Sequence, residues 1–154
     1  MFILDLQSPL GLLKISGEGE IIYRLEFLGD GVSVISPANP LANNISQQFA
    51  AYFRDAKNNF DLPLLLAGTP FQRKVWRALR EIPTGKVLTY GELAERLKTS
   101  ARAVGNACRK NPVPVIVPCH RVVSANGLGG YCGEVGGEAL AIKRQLLRHE
   151  GVEC

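Results

Sequence analysis

Apolar and polar residues alternate through Phe2, Leu4 and Leu6, again over residues 10–15, and again over residues 21–28. A two-residue period belongs to strands with one buried face, and glycines at 17–19 and 29–31 separate the runs, so the pattern predicts a meander of short antiparallel strands. Leu41, Ile45, Phe49 and Phe53 then recur every four residues, which makes one apolar stripe of a helix covering a side of that sheet. Residues 1–67 therefore form a small α/β domain with no catalytic constellation in it, a scaffold, and residues 68–154 form a second domain.

The second half changes period. Thr69 is placed to cap a helix that has Pro70 at its first position, with Phe71, Val75, Leu79 and Ile82 at helical spacing and Pro83 and Gly85 to stop it. Thr89 followed by Glu92 is a capping box that starts a short helix bearing Leu93, Ala94 and Leu97. A turn at 98–100 leads to another helix, from after Ser100 to about Lys110. That is the spacing of a helix-turn-helix, although helical hairpins that merely pack share it. The expected fold class is α+β: a small amino-terminal α/β domain with an antiparallel sheet, then a mainly helical, winged-helix-like helix-turn-helix domain.

Residues 96–110 contain Arg96, Lys98, Arg102, Arg109 and Lys110 and no acid, while the second helix is otherwise small, with Ala101, Ala103, Gly105 and Ala107. Gly105 costs a helix about 1 kcal/mol relative to alanine, which makes sense where another surface approaches its backbone. The net charge of +4 is unevenly shared: residues 1–67 carry 4 basic and 7 acidic side chains, residues 68–154 carry 14 and 7. A basic half beside an acidic one fits one face meeting a polyanion such as nucleic acid, and charge alone fits a solvated basic surface equally well.

Hydrophobic residues make up 46% of the chain, enough for a core without staples. No run approaches the roughly 20 apolar residues of a membrane span, and the start lacks a basic n-region, so no membrane partner and a cytoplasmic location are expected. Cys108, Cys119, Cys132 and Cys154 are expected to be reduced thiols. With no C-x-x-C and only His120 and His149, neither a metal nor another cofactor is expected.

The chemistry concentrates after the basic helix. From Asn111 to Val123 the chain reads NPVPVIVPCHRVV, an apolar run whose prolines exclude a central sheet position and suggest an extended rigid rail ending in a thiol. A cysteine there is by default a small buried hydrophobe, and Cys108 and Cys154 keep that reading. For Cys119 the adjoining imidazole matters: a thiol near ~8.5 is mostly protonated at neutral pH, and His120 could lower it toward a thiolate. Neighbouring strand side chains point to opposite faces, so contact needs a turn or a bridging water. Glu150, directly after His149 near the end of the last helix, is a candidate to hold His120 in one tautomer. A Cys, His and acid set of this kind serves any thiol nucleophile, a hydrolase included.

The run NPVPVIVPCHRVV, preceded by TPFQRKVWRALREIPTGKVLTYGELAERL and ARAVGNACRKNP and followed by a glycine-rich loop and LLRHEG, resembles the O6-alkylguanine-DNA alkyltransferase family over residues 69–151. The resemblance implies repair of double-stranded DNA by irreversible, single-turnover transfer of the alkyl group of O6-alkylguanine to Cys119, with O4-alkylthymine as a possible further substrate. It implies that His120 acts through a water with Glu150 orienting it, and that Tyr90 hydrogen-bonds the leaving base. Arg102 would fill the stack vacated by a flipped nucleotide. Ala101, Ala103, Gly105 and Arg109 would lie along the minor groove, and Asn111 would join the recognition helix to the active-site rail. Pro114, Tyr131 and the backbone of Cys119, Val122 and Cys132 would wall the substrate pocket. Family members often have serine at the place of Cys132, so a second thiol, even a Cys119 to Cys132 link, is conceivable here. The loop 133–138, with Glu134 and Glu138, runs longer than the family's common pattern. A monomer is expected.

Three other readings use fewer of these features. A binding-only relative would lack the acceptor cysteine, a thiol hydrolase would leave the basic helix unexplained, and a helix-turn-helix transcription factor would leave the nucleophile idle.

Overall fold

The alternating runs form β1 (Phe2–Ser8), β2 (Gly11–Glu18) and β3 (Ile21–Gly29), an antiparallel sheet in that order, in a computed structural model that describes residues 1–29, 39–133 and 136–154. Leu4 pairs with Ile15 and Ile15 with Leu25, and all three are buried, so the two-residue period marks the core face as expected. Gly17 lies inside β2 and is no break. A Cβ there would stand 2.5 Å from the Phe2 ring, so the missing side chain lets that ring cover the strand. Leu64 adds a parallel bridge beside Ile22.

Asn39 caps α1 (Pro40–Arg54) by accepting from the Leu41 amide at 2.9 Å. Leu41, Ile45 and Phe49 are buried against the sheet side, as the stripe predicted, and α1 packs on β1. The stripe closes on Tyr52 instead of Phe53. Steps of four residues drift by about 40° each, so position 52 lies closer to the stripe's centre than position 53.

The chain divides into two compact units, Met1–Ala67 and Gly68–Cys154. The second begins with α2 (Pro70–Arg80), whose start is a complete capping box between Thr69 and Gln72. Val75, Trp76 and Leu79 are buried. Phe71 is not on that face: it is 36% exposed, because it sits roughly 90° around the helix from the centre of the buried set. Trp76 packs inward instead, and its indole N–H donates to the Ala107 carbonyl at 2.8 Å.

β4 (Leu88–Thr89) runs into α3 (Tyr90–Leu97) through the Thr89/Glu92 capping box. Lys98, left-handed at φ 57°, ends α3, and Ser100 caps α4 (Ala101–Arg109), giving a helix-turn-helix. β5 (Val122–Val123) pairs parallel with β4. The last helix, α5 (Gly137–His149), starts earlier than the sequence suggested, so Glu138 belongs to its first turn, where a carboxylate complements the helix dipole. Glu134 lies outside the described residues. Among those described, no helix is long and apolar enough to cross a membrane.

Candidate active site

The segment before Cys119 is a stack of tight turns, and the extended rail is not observed. Asn111 uses both ends of its amide, accepting from Val113 N at 2.9 Å and donating to Val117 O at 2.9 Å, while Val117 N returns to Val113 O at 2.9 Å. Prolines 112, 114 and 118 have no N–H to offer a sheet, so the chain satisfies its remaining donors locally. Val115 is held at φ 74°, a left-handed conformation that a β-branched residue adopts only under constraint from its surroundings. Cys119–Arg121 then forms a single 3₁₀ turn. That turn breaks the strand alternation and lets Cys119 line a pocket while His120 and Arg121 point into the protein.

His120, Arg121 and Glu150 form a buried polar cluster. The His120 Nε2 and Glu150 Oε2 lie 2.8 Å apart, and the Arg121 guanidinium donates to Glu150 Oε1 from Nε at 2.8 Å and to Oε2 from Nη2 at 3.0 Å. Arg121 also donates to the Ile82 carbonyl at 2.6 Å and to Thr84 Oγ1 at 3.1 Å. Burial, opposed by Glu150, holds the His120 imidazole below its ordinary pKa, so it is neutral at pH 7. The carboxylate only accepts, so the proton sits on Nε2 and leaves Nδ1, which is buried with no hydrogen-bond partner among the described residues, as a bare acceptor.

A pocket of about 390 Å³ opens beside this cluster, lined by residues of α3 and α4 together with Cys119 and residues 130–133. Cys119 is 5% exposed and forms part of its wall. Burial pushes the Cys119 thiol up, against the Asn111 amide and the Lys143 ammonium, so at rest the sulfur is protonated and not the thiolate expected from the sequence. Tyr90 is half-buried on the same pocket, and burial pushes its hydroxyl up to about 12, which keeps it a donor. Its ring fits because residue 129 is glycine: a Cβ there would lie 2.9 Å from the ring.

Of the residues singled out in the sequence, Tyr90, Ala101, Arg102, Gly105, Arg109, Cys119, Tyr131 and Cys132 line this one pocket. Ala103 lies elsewhere on α4, and Asn111 supports the turn. Pro114 and Val122 do not line it: Pro114 is drawn inward by its bridge to Val117, and Val122 is fully buried. Cys132 is exposed and left-handed at φ 51°. Cys108, expected as core filler, lines the pocket as well, with burial pushing its thiol up to about 12. Cys154 is exposed, which removes the buried reading for it.

Two cations escaped the sequence reading. Arg121 was visible only as the fourth letter of the PCHR run. Lys143 is fully buried on α5, donating to the Val122 carbonyl at 2.7 Å and the Gly130 carbonyl at 2.8 Å, and standing 5.8 Å from the centre of the Tyr90 ring. Burial lowers its pKa to about 8. It ties the strand after Cys119 to the glycine-rich loop that carries the pocket's far wall.

Family comparisons agree with this geometry. Residues 70–152 match the DNA binding domain of 6-O-methylguanine DNA methyltransferase, and residues 5–66 match the ribonuclease-like domain of the same proteins. The chain belongs to the 6-O-methylguanine DNA methyltransferase family. Among its relatives, the methylated-DNA–protein-cysteine methyltransferase of Methanosarcina acetivorans is 38% identical over 98% of this chain and 99% of that protein. The Shigella flexneri protein of the same name is 46% identical over 86% of this chain and 73% of its own length. The crystal structure of Mycobacterium tuberculosis O6-methylguanine methyltransferase matches with a TM-score of 0.82 at 37% identity, covering 97% of this chain and 92% of that one. The same organism's OGT in complex with DNA matches at 0.80, 38% identity and the same coverage. In this family member the whole pocket and the buried cluster fall inside the matched DNA binding domain.

Proposed function

We propose that this chain repairs double-stranded DNA by taking the alkyl group from O6-alkylguanine onto Cys119, once per molecule. The observation that carries the reading is a cysteine on a pocket wall, next in sequence to a neutral buried imidazole whose far nitrogen is clamped by Glu150.

The guanine is everted from the duplex into the pocket. The Cys119 proton passes through a water to His120 Nδ1, and the imidazolium that forms is stabilised by Glu150. The sulfur attacks the alkyl carbon, the S–C bond forms as the C–O6 bond breaks, and the electron pair leaves on the base. Tyr90 donates toward N3 of that base, where charge develops, and a proton completes guanine. Because burial keeps the resting thiol protonated, its proton must leave for His120 before or as the sulfur attacks. The thioether has no route back, so the protein acts once. The same chemistry would serve O4-alkylthymine.

The helix α4 enters the minor groove, which is only about 6 Å wide, with its small residues Ala101, Ala103 and Gly105 turned to the DNA. Support comes from Gly105: a Cβ there would meet only Tyr90 ring atoms at 4.0 Å, so nothing in the described chain requires glycine at this place. Arg102 is exposed at the pocket rim, positioned to occupy the gap left by the everted nucleotide, and Arg109 neutralises phosphate. Asn111 holds the turn that presents Cys119. The protein acts as a monomer, in the cytoplasm.

Incubation with duplex DNA bearing O6-methylguanine, followed by peptide mass spectrometry, is expected to find one methyl group on the Cys119 peptide and no second turnover; a sulfur still bare after long exposure ends the reading. Arg102→Ala is expected to slow repair in duplex by tenfold or more while leaving the reaction with free O6-benzylguanine within about twofold, since eversion costs a few kcal/mol only when there is a stack to leave. Equal slowing on both substrates removes Arg102 from eversion.

A further inference from the structure

A second groove, of about 550 Å³, runs along α4 on the side away from the Cys119 pocket. It is lined by Thr69, Phe71 and Gln72 at the start of α2 and by Ala103, Asn106, Ala107, Arg109 and Lys110 of α4 and its cap. None of these residues is acidic, two are cationic, and Phe71 is the aromatic that the helical spacing assigned to the core and the fold leaves 36% exposed.

Angles around α4 relate the two cavities. With about 100° per residue, the buried residues Val104, Ala107 and Cys108 define the inner face, and Arg102, Asn106 and Arg109 point outward. The Cys119 pocket lies on one flank of that outward face and the Phe71 groove on the other, with Asn106 and Arg109 lining both. A helix is wider than the minor groove it enters, so its two flanks meet the two sugar-phosphate walls, one from each strand. The flank with Cys119 must face the strand that carries the lesion.

We infer that the Phe71 groove holds the backbone of the complementary strand, with the Phe71 ring against a deoxyribose and its base edge and with Lys110 and Arg109 on the adjoining phosphates. The inference rests on the DNA repair reading above and adds to it a site for the undamaged strand. Clamping that strand while its partner nucleotide is everted keeps the duplex from following the base out of register.

Three measurements on the full chain test it. Phe71→Ala is expected to weaken duplex binding roughly five- to tenfold, the size of one lost aromatic contact with nucleic acid. The same variant should slow methyl uptake from duplex at limiting protein, yet match the unsubstituted protein when the lesion lies in a single strand. Phe71 is at the margin of its helix, and an unchanged thermal transition checks that the fold is kept. A photoreactive benzophenone side chain in place of Phe71 should crosslink to the undamaged strand. Crosslinks confined to the lesion strand, or equal losses on duplex and single strand, overturn the assignment. Methyl uptake by the unsubstituted protein is followed in parallel: uptake without any crosslink to the complementary strand defeats the groove alone, whereas absence of uptake on every substrate defeats the repair reading beneath it.

Discussion

Cys119→Ala takes no methyl group from lesion-bearing duplex and binds that duplex within about twofold of the unsubstituted protein. The loss is complete because the pocket offers no substitute. Cys108 lines the same cavity, but burial pushes its thiol up to about 12, and the described structure gives it no proton acceptor comparable to His120 Nδ1. Cys132 is exposed at the rim, outside the buried His120–Glu150 pair. Binding survives because removing one sulfur from a side chain that is 5% exposed leaves the outer face of α4 untouched. Intact-mass measurement and an electrophoretic binding assay read the two quantities separately. Methyl appearing on Cys108 or Cys132 in this variant would show that the pocket, and not the cluster behind Cys119, confers reactivity.

Glu150→Gln has the second large effect, and it falls on stability and rate together. Glu150 is the shared acceptor of His120 and Arg121 in a cluster whose side chains are at most 10% exposed. Removing its charge leaves a buried guanidinium without a counter-ion, a change that costs about 3–5 kcal/mol in comparable settings. It also removes the anion that stabilises an imidazolium, so methyl transfer should slow by at least tenfold. Adding Arg121→Met to Glu150→Gln separates the two, because it takes away the orphaned cation: much of the stability returns in a denaturant melt while the transfer rate stays low. If rate recovers along with stability, Glu150 serves the fold alone and does not assist the proton transfer from Cys119.

The parts of the molecule that were legible in the sequence are those set by neighbours a few residues apart. Thr69 with Pro70, Thr89 with Glu92, and Ser100 declare three helix starts, and alternation from Phe2 to Leu28 declares the sheet. The Cys119, His120 and Glu150 set was legible because two of its members are adjacent, the third closes the last helix, and the family pattern agrees with all three. What was hidden depends on distant partners. Lys143 lies on an amphipathic helix and looks solvated, yet its acceptors are carbonyls 21 and 13 positions away. Arg121 is buried by Ile82, Thr84 and Glu150, none of them local. The turns over 111–118 were misjudged because proline excludes a sheet without saying which alternative replaces it, and the positive φ at Val115 runs against the preference of its own side chain. Phe71 shows the limit of periodicity at a helix start, where the first member of a stripe can overhang the surface it would cover.

The indole bond from Trp76 to the Ala107 carbonyl has a practical consequence. This is the chain's sole tryptophan, and it lies 1% exposed directly beneath α4. Its near-ultraviolet emission is therefore a built-in probe: without any attached dye, a change in intensity or wavelength on titration follows the seating of α4, and its time course separates docking from the slower chemistry at sulfur.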